Sequence, residues 1–174
     1  MPTHLRPQVP EAVRRIANAP DRRLAWEFFV FFSRFEYALK RDRRFLMPGT
    51  GDAQPSWDRF ASDSNAAFRP EASPQLKAAV DYYLAQPPRK QVRANGEMSW
   101  SAPQAWDGQE PLLIWLLRAV RAVRNNLFHG GKFPVVPIAE PSRDRDLLTH
   151  GLAILGSALT MDPQVHRHFE EGLE

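Results

Sequence analysis

Apolar residues recur at helical spacing through most of the chain. Residues 22 to about 44 run without Gly or Pro, and Leu24, Phe28, Phe31, Phe32, Phe35 and Leu39 follow the three-and-four spacing of one helical face. Phe29, Val30 and Tyr37 widen that stripe until most of the circumference is apolar. Such a helix needs cover on more than one side, from other helices or from a second subunit. Asp21, just after Pro20, is placed to cap its start. Ahead of it, Pro2, Pro7 and Pro10 predict an extended segment with a helical turn or two over residues 11–17.

Shorter helices are expected at residues 56–68 and 73–85, the second opened by Ser73-Pro74 and stopped by Pro87-Pro88. Asn95-Gly96 is a two-residue hairpin signal, so a small β-hairpin is expected within residues 91–100. A second long helix follows, with Asp107 and Glu110 at capping-box spacing and Pro111 in its first turn. Leu112, Leu113, Trp115, Leu116, Ala119, Val120, Val123 and Leu127 make its buried face, and Gly130-Gly131 ends it. Residues 133–138, with Pro134 and Pro137, read as an extended linker. A last helix spans 143–161 and is closed by Asp162-Pro163, and residues 164–174 read as a polar, frayed tail. The pattern sums to an all-α bundle of four to five helices with short connections and room for one small β-hairpin. It forms a single domain over 1–174 with its core at about 20–161.

Composition narrows this picture only a little. The 174 residues suit one compact domain. The net charge is +3, but 19 of the 23 basic residues are Arg, the better side chain for bidentate phosphate contacts. With no Cys, a disulfide framework and a Cys-ligated zinc site are excluded. The first twenty residues lack a continuous apolar stretch, and the longest apolar-rich run, 147–161, is too short to span a bilayer. Cytoplasm is the expected compartment, with no membrane partner.

Candidate chemistry concentrates at the end of the second long helix. Arg118, Arg121 and Arg124 are spaced i, i+3, i+6 along one ridge, while Asn125 and His129 are stacked at i, i+4. Arg124 and His129 stand about 140° apart around the helix axis. These residue types suit phosphodiester chemistry: a His can move a proton to or from a ribose oxygen, and an Arg can hold the phosphate. The same residues also fit a solvated basic helix edge whose His precedes a Gly cap. Glu36, on the apolar first helix, either pairs with Arg124 or Arg121 and orients them, or pairs with Lys40 at i+4.

The stretch Val123-Arg124-Asn125-Asn126-Leu127-Phe128-His129-Gly130-Gly131-Lys132 resembles the signature of the HEPN superfamily (higher eukaryotes and prokaryotes nucleotide-binding), an Arg followed four to six residues later by a His. The aromatic first helix, through Phe32-Ser33-Arg34-Phe35-Glu36-Tyr37-Ala38-Leu39-Lys40, is similar to the first helix of bacterial members. The resemblance implies a helical bundle that forms a homodimer and brings two motifs to one cleft. It also implies a metal-independent endoribonuclease that needs no cofactor and leaves 2′,3′-cyclic phosphate ends. Its settings would be RNA processing, toxin-antitoxin or phage-defence biology. Arg124 and His129 would be catalytic with Asn125 in support, and Arg118, Arg121, Asn126 and Lys132 would contact RNA. An antitoxin or other regulatory protein is a further expected partner. The resemblance equally covers non-catalytic members that bind RNA, a nucleotide or a protein. Gly130, Gly131, Lys132 and Phe133 stand where members silenced by a nucleotidyltransferase often carry a Tyr.

Among the remaining candidates, His166 and His168 alternate in the polar tail, and His150 sits on an apolar helix. Neither arrangement has the spacing of a metal site.

Overall fold

Twenty residues without a helix breaker make the first helix, α1 (Arg22–Arg41), whose buried face is Phe28, Phe32, Phe35, Ala38 and Leu39. The spacing of that face follows the forecast stripe, with Leu24 and Phe31 packed on its margin. The computed structural model describes residues 21–128 and 141–172. The forecast turn at 11–17, the Gly130-Gly131 cap and the linker at 133–138 lie outside the described residues.

Helix α1 stops three residues short of the expected end. Asp42 turns extended, and its Oδ1 accepts hydrogen bonds from the backbone N–H of Arg44 at 2.9 Å and from its Nε at 3.0 Å. This local side-chain bonding offers the chain an alternative to another helical turn. Helix α2 (Trp57–Ser64) is likewise shorter than forecast, tightening into a 3-10 turn at Asn65–Ala67. Helix α3 (Pro74–Ala85) begins as expected, with the Ser73 hydroxyl accepting the N–H of Leu76 and Pro74 in the first turn.

Strands β1 (Gln91–Ala94) and β2 (Glu97–Trp100) pair antiparallel, with Ala94 opposite Glu97 across the turn. Asn95 and Gly96 both have positive φ, 52° and 85°, as a type I′ turn requires. Helix α4 (Leu112–Phe128) follows a loop held by indole bonds, Trp106 to the Glu110 carbonyl and Trp115 to the Gln104 carbonyl. The expected capping box is absent. Asp107 instead accepts the N–H of Gln109, and Glu110 reaches Arg118. Asp21 likewise precedes α1 without capping it by its side chain and pairs with Arg145 at 2.8 Å.

Helix α5 (Pro141–Leu159) packs against α1, α3 and α4 and supplies Leu147, Leu148, Ile154, Leu155, Ala158 and Leu159 to the core. The forecast frayed tail is instead a docked helix, α6 (Pro163–Glu170). Asp162 caps it by accepting the N–H groups of Gln164 and Val165. Val165 is fully buried, and Phe169 meets Phe31 with ring centroids 4.9 Å apart. Arg34 fastens its end by donating to the carbonyls of Phe169 and Glu171. The result is a helical bundle with one small hairpin. An aromatic stack fills the seam between α1 and α2: Phe32 and Phe35 lie 5.0 and 5.1 Å from Trp57, and Phe60 meets Phe35 and Phe45 edge-on. Each such pair adds about 0.5–1.5 kcal/mol beyond area burial.

Candidate functional site on helix α4

The apolar face of α4, from Leu113 to Val123, is locked into the core, which turns its basic ridge outward. Each Arg of the ridge meets a carboxylate that lies outside α4. Arg118 donates to Asp58 of α2 at 2.7 Å and to Glu110 of the preceding loop at 2.6 Å. These bonds, the one to Asp58 foremost, hold its pKa above the ordinary guanidinium value. Arg121 lies 3.6 Å from the other oxygen of Asp58. Arg124 lies 3.8 Å from Glu36 of α1, with its guanidinium 5.4 Å from the centre of the Phe32 ring. Its Nη1 donates to the Asn125 Oδ1 at 3.0 Å.

Glu36 serves both partners weighed for it, since its other oxygen lies 3.8 Å from Lys40. Both separations exceed hydrogen-bond length, so they hold by charge attraction, worth about 0–1 kcal/mol for a partly exposed pair. The cation-π contact adds a second soft restraint on Arg124. The guanidinium is therefore restrained by Glu36, Phe32 and Asn125, and its side chain is 31% exposed.

Between α4 and the base of the hairpin runs a groove of about 450 Å³, lined by Lys90 and Gln91 on one wall and by Arg118, Arg121, Asn125 and Asn126 on the other. Through Lys90, Arg118 and Ala122 it joins a second groove of about 430 Å³ that reaches Gln104 and Trp115. The structure therefore brings Arg118, Arg121 and Asn125 to one surface, and Asn125 links that surface to Arg124. Asn126 plays a different part. It is 5% exposed, and its Nδ2 donates to the Arg89 carbonyl at 2.7 Å, tying α4 to the strand-leading loop. His129 and Lys132 lie outside the described residues.

The carboxylates Asp58 and Glu110 and the groove-lining Lys90 were not singled out from sequence as site residues; Glu110 reads as part of a cap. Asp58 carries only the signal of an exposed acid on a short amphipathic helix. Among the described residues, no group of three or more His, Asp or Glu is placed to hold a metal ion. His166 lies 3.3 Å from Glu170, His168 lies 3.0 Å from Glu171, and His150 stacks on Tyr82. No described helix is long and apolar enough to cross a membrane. Comparison with protein-family models, with curated proteins and with solved structures returns no match.

Proposed function

We propose that the chain is a metal-independent endoribonuclease of HEPN type, cleaving RNA by attack of a ribose 2′-OH on the adjacent phosphorus. In this reading His129 takes the 2′-OH proton or delivers one to the leaving 5′-oxygen, and Arg124 binds the phosphate as charge builds on its oxygens. The observation that carries the reading is the setting of Arg124. It is steered by Glu36 and the Phe32 ring and bonded to Asn125, whose side chain lines the groove where Arg118 and Arg121 stand. A phosphate reaching past Asn125 at the edge of that groove would meet a pre-oriented guanidinium instead of a mobile one.

Pairing of two copies belongs to the same proposal. Trp26, Val30 and Tyr37 leave 62%, 45% and 43% of their surface exposed and recur at helical spacing along α1. A two-fold axis at that face would bring two motif helices into one assembly. We place such an enzyme in the cytoplasm, acting in RNA processing, toxin-antitoxin or phage-defence biology, with an antitoxin or regulatory protein as its controlling partner.

A second reading, a non-catalytic module that binds RNA, a nucleotide or a protein, draws on a specific observation. Asp58 and Glu110 neutralise Arg118 and Arg121, which lowers the attraction of the groove for a polyanion. Cleavage of a mixed RNA pool by the purified chain in excess EDTA separates the two readings. The endoribonuclease reading expects cyclic-phosphate ends, with loss of cleavage in His129→Ala and Arg124→Ala. Cleavage that persists in both variants, or needs added metal, refutes it. Binding without cleavage favours the second reading.

A further inference from the structure

A second basic groove, of about 740 Å³, opens where the end of α1 meets the start of α6. Arg41, Arg43, Arg44 and Arg167 line it together with Asp42 and Asp162, so cations outnumber carboxylates by four to two. Both carboxylates are committed to Arg44, Asp42 at 2.6 Å and Asp162 at 3.0 Å, and Asp162 also caps α6. Arg44 is thereby a structural bridge. Arg41 has a single partner, the exposed Glu171 at 3.4 Å. Arg43 and Arg167 are paired with no carboxylate among the described residues, and the one bond of Arg167 is to the neutral amide oxygen of Gln164. Two to three guanidiniums thus face an open groove without a matching anion.

The one aromatic ring in the lining, His168, is 12% exposed with its nitrogens engaged by Gln164 and Glu171, and the groove lies open to solvent. Such a wall neither stacks bases nor encloses a small molecule, whose sites are mostly apolar and concave. What it matches is a row of phosphates, which guanidiniums bind by paired hydrogen bonds. Lys40 stands next to Arg41 in the chain and shares Glu36 with Arg124, so basic residues continue around the end of α1 from one groove to the other.

We propose that the groove between α1 and α6 is a second RNA-contacting site, in which Arg43 and Arg167 hold backbone phosphates of a strand engaged at Arg124. This rests on the reading of the chain as an RNA-acting protein. Contacts there are to phosphate alone, so they are independent of base sequence.

The test is equilibrium binding of a labelled 2′-O-methyl oligouridine, which cannot be cleaved, followed by fluorescence anisotropy between about 50 and 200 mM salt. The full chain is compared with R43A, R167A, the double variant, and R59A as an exposed control on α2. Each lost phosphate contact lowers the slope of log affinity against log salt by about 0.7, so the double variant should lose about 1.4. Oligoadenosine should show the same loss, and R59A none. Equal slopes for wild type and double variant, with the wild type binding, overturn the second site and leave the RNA reading standing. A wild type that binds neither oligomer overturns both. Loss of affinity for one base composition only overturns the phosphate-only contact. Arg43 and Arg167 are solvent-facing residues, and unchanged thermal unfolding confirms that the variants are folded.

Discussion

Two glycines of α5, five residues apart, should respond in opposite directions to the same substitution. A methyl group on Gly151 would lie 2.8 Å from the Tyr83 hydroxyl oxygen and 2.9 Å from Phe28 Cε2, whereas one on Gly156 meets nothing within 4 Å. Tyr83 and Phe28 are both fully buried, so neither can swing into solvent. Tyr83 is further fixed by donating its hydroxyl to the Leu147 carbonyl at 2.8 Å. Alanine gains about 1 kcal/mol over glycine inside a helix. At Gly151 overpacking costs about 1–3 kcal/mol, and loosening the Tyr83 bond costs about 1 kcal/mol more. The net expectation is a loss of about 1–3 kcal/mol for Gly151→Ala and a gain of up to about 1 kcal/mol for Gly156→Ala. For a chain of this size about 2–4 °C of Tm accompanies each kcal/mol, so the two variants should separate clearly in urea and thermal unfolding followed by circular dichroism. Adding Tyr83→Phe to Gly151→Ala removes the nearest oxygen, so the double variant should be more stable than the sum of its singles. Equal stability of the two glycine variants would refute the close crossing of α1, α3 and α5 at Gly151.

Other expectations follow from the ion pairs. Glu36→Gln should leave stability within about 1 kcal/mol, because the pair with Arg124 is long and partly exposed. RNA cleavage should nonetheless fall by about ten- to a hundred-fold as Arg124 loses its steering; an unchanged rate removes Glu36 from the site. The carboxyls of Asp42, Asp162 and Glu171 are all held below the usual range: Asp42 by its hydrogen bond from Arg44, Asp162 by Arg44 and the α6 N–H groups against the opposing effect of burial, and Glu171 by His168. Depressed native values mean that this stability is present above the unfolded pKa of about 4 and is lost as pH falls through the native ones. The Tm should therefore drop steeply below about pH 4, and the drop should be shallower in Asp162→Asn, whose starting stability is lower through the weakened cap. Parallel pH profiles for the two proteins would show that the α1–α6 seam does not govern acid unfolding.

Those seam residues also mark where sequence reading reached its limit. The buried face of α1 and the hairpin at Asn95-Gly96 are legible because their causes are local: one is a helical period, the other a two-residue turn that needs positive φ. Caps are less legible, since an Asp has several partners to choose from. Asp162-Pro163 reads equally as the end of one helix and the start of the next. It starts α6 because Val165 and Phe169 find a pocket on α1, a fact of tertiary packing. Asp21 and Asp107 have the spacing of caps, but Arg145 and the Gln109 N–H engage them instead. Nothing in residues 41–44 forbids another helical turn. Asp42 ends the helix in company with Arg44, whose second partner, Asp162, comes from more than a hundred residues away.

The candidate site divides in the same way. The ridge of Arg118, Arg121 and Arg124 is a property of one helix and can be read from spacing. The acids that meet it arrive from α2, the preceding loop and α1; Glu36 stands out as a charge on an apolar helix, whereas no local pattern announces Asp58 or Glu110 as partners. Asn126, grouped by sequence with the binding residues, proves to be a buried tie because its neighbour Arg89 offers a carbonyl at the right height. Asp58 is the residue on which the character of the groove turns. Its one carboxylate faces two guanidiniums, and with Glu110 on Arg118 the charges of the ridge there are matched, so the positive excess of the groove comes from Lys90. The Asp58 pairs are about half-exposed, and such pairs contribute about 0–1 kcal/mol each. A backbone phosphate, whose single charge is shared by two oxygens, would displace Asp58 at small cost and give Arg118 and Arg121 one acceptor each. In the RNA-acting reading proposed above, the carboxylate would serve as a placeholder that holds the two guanidiniums together until a phosphate took its position.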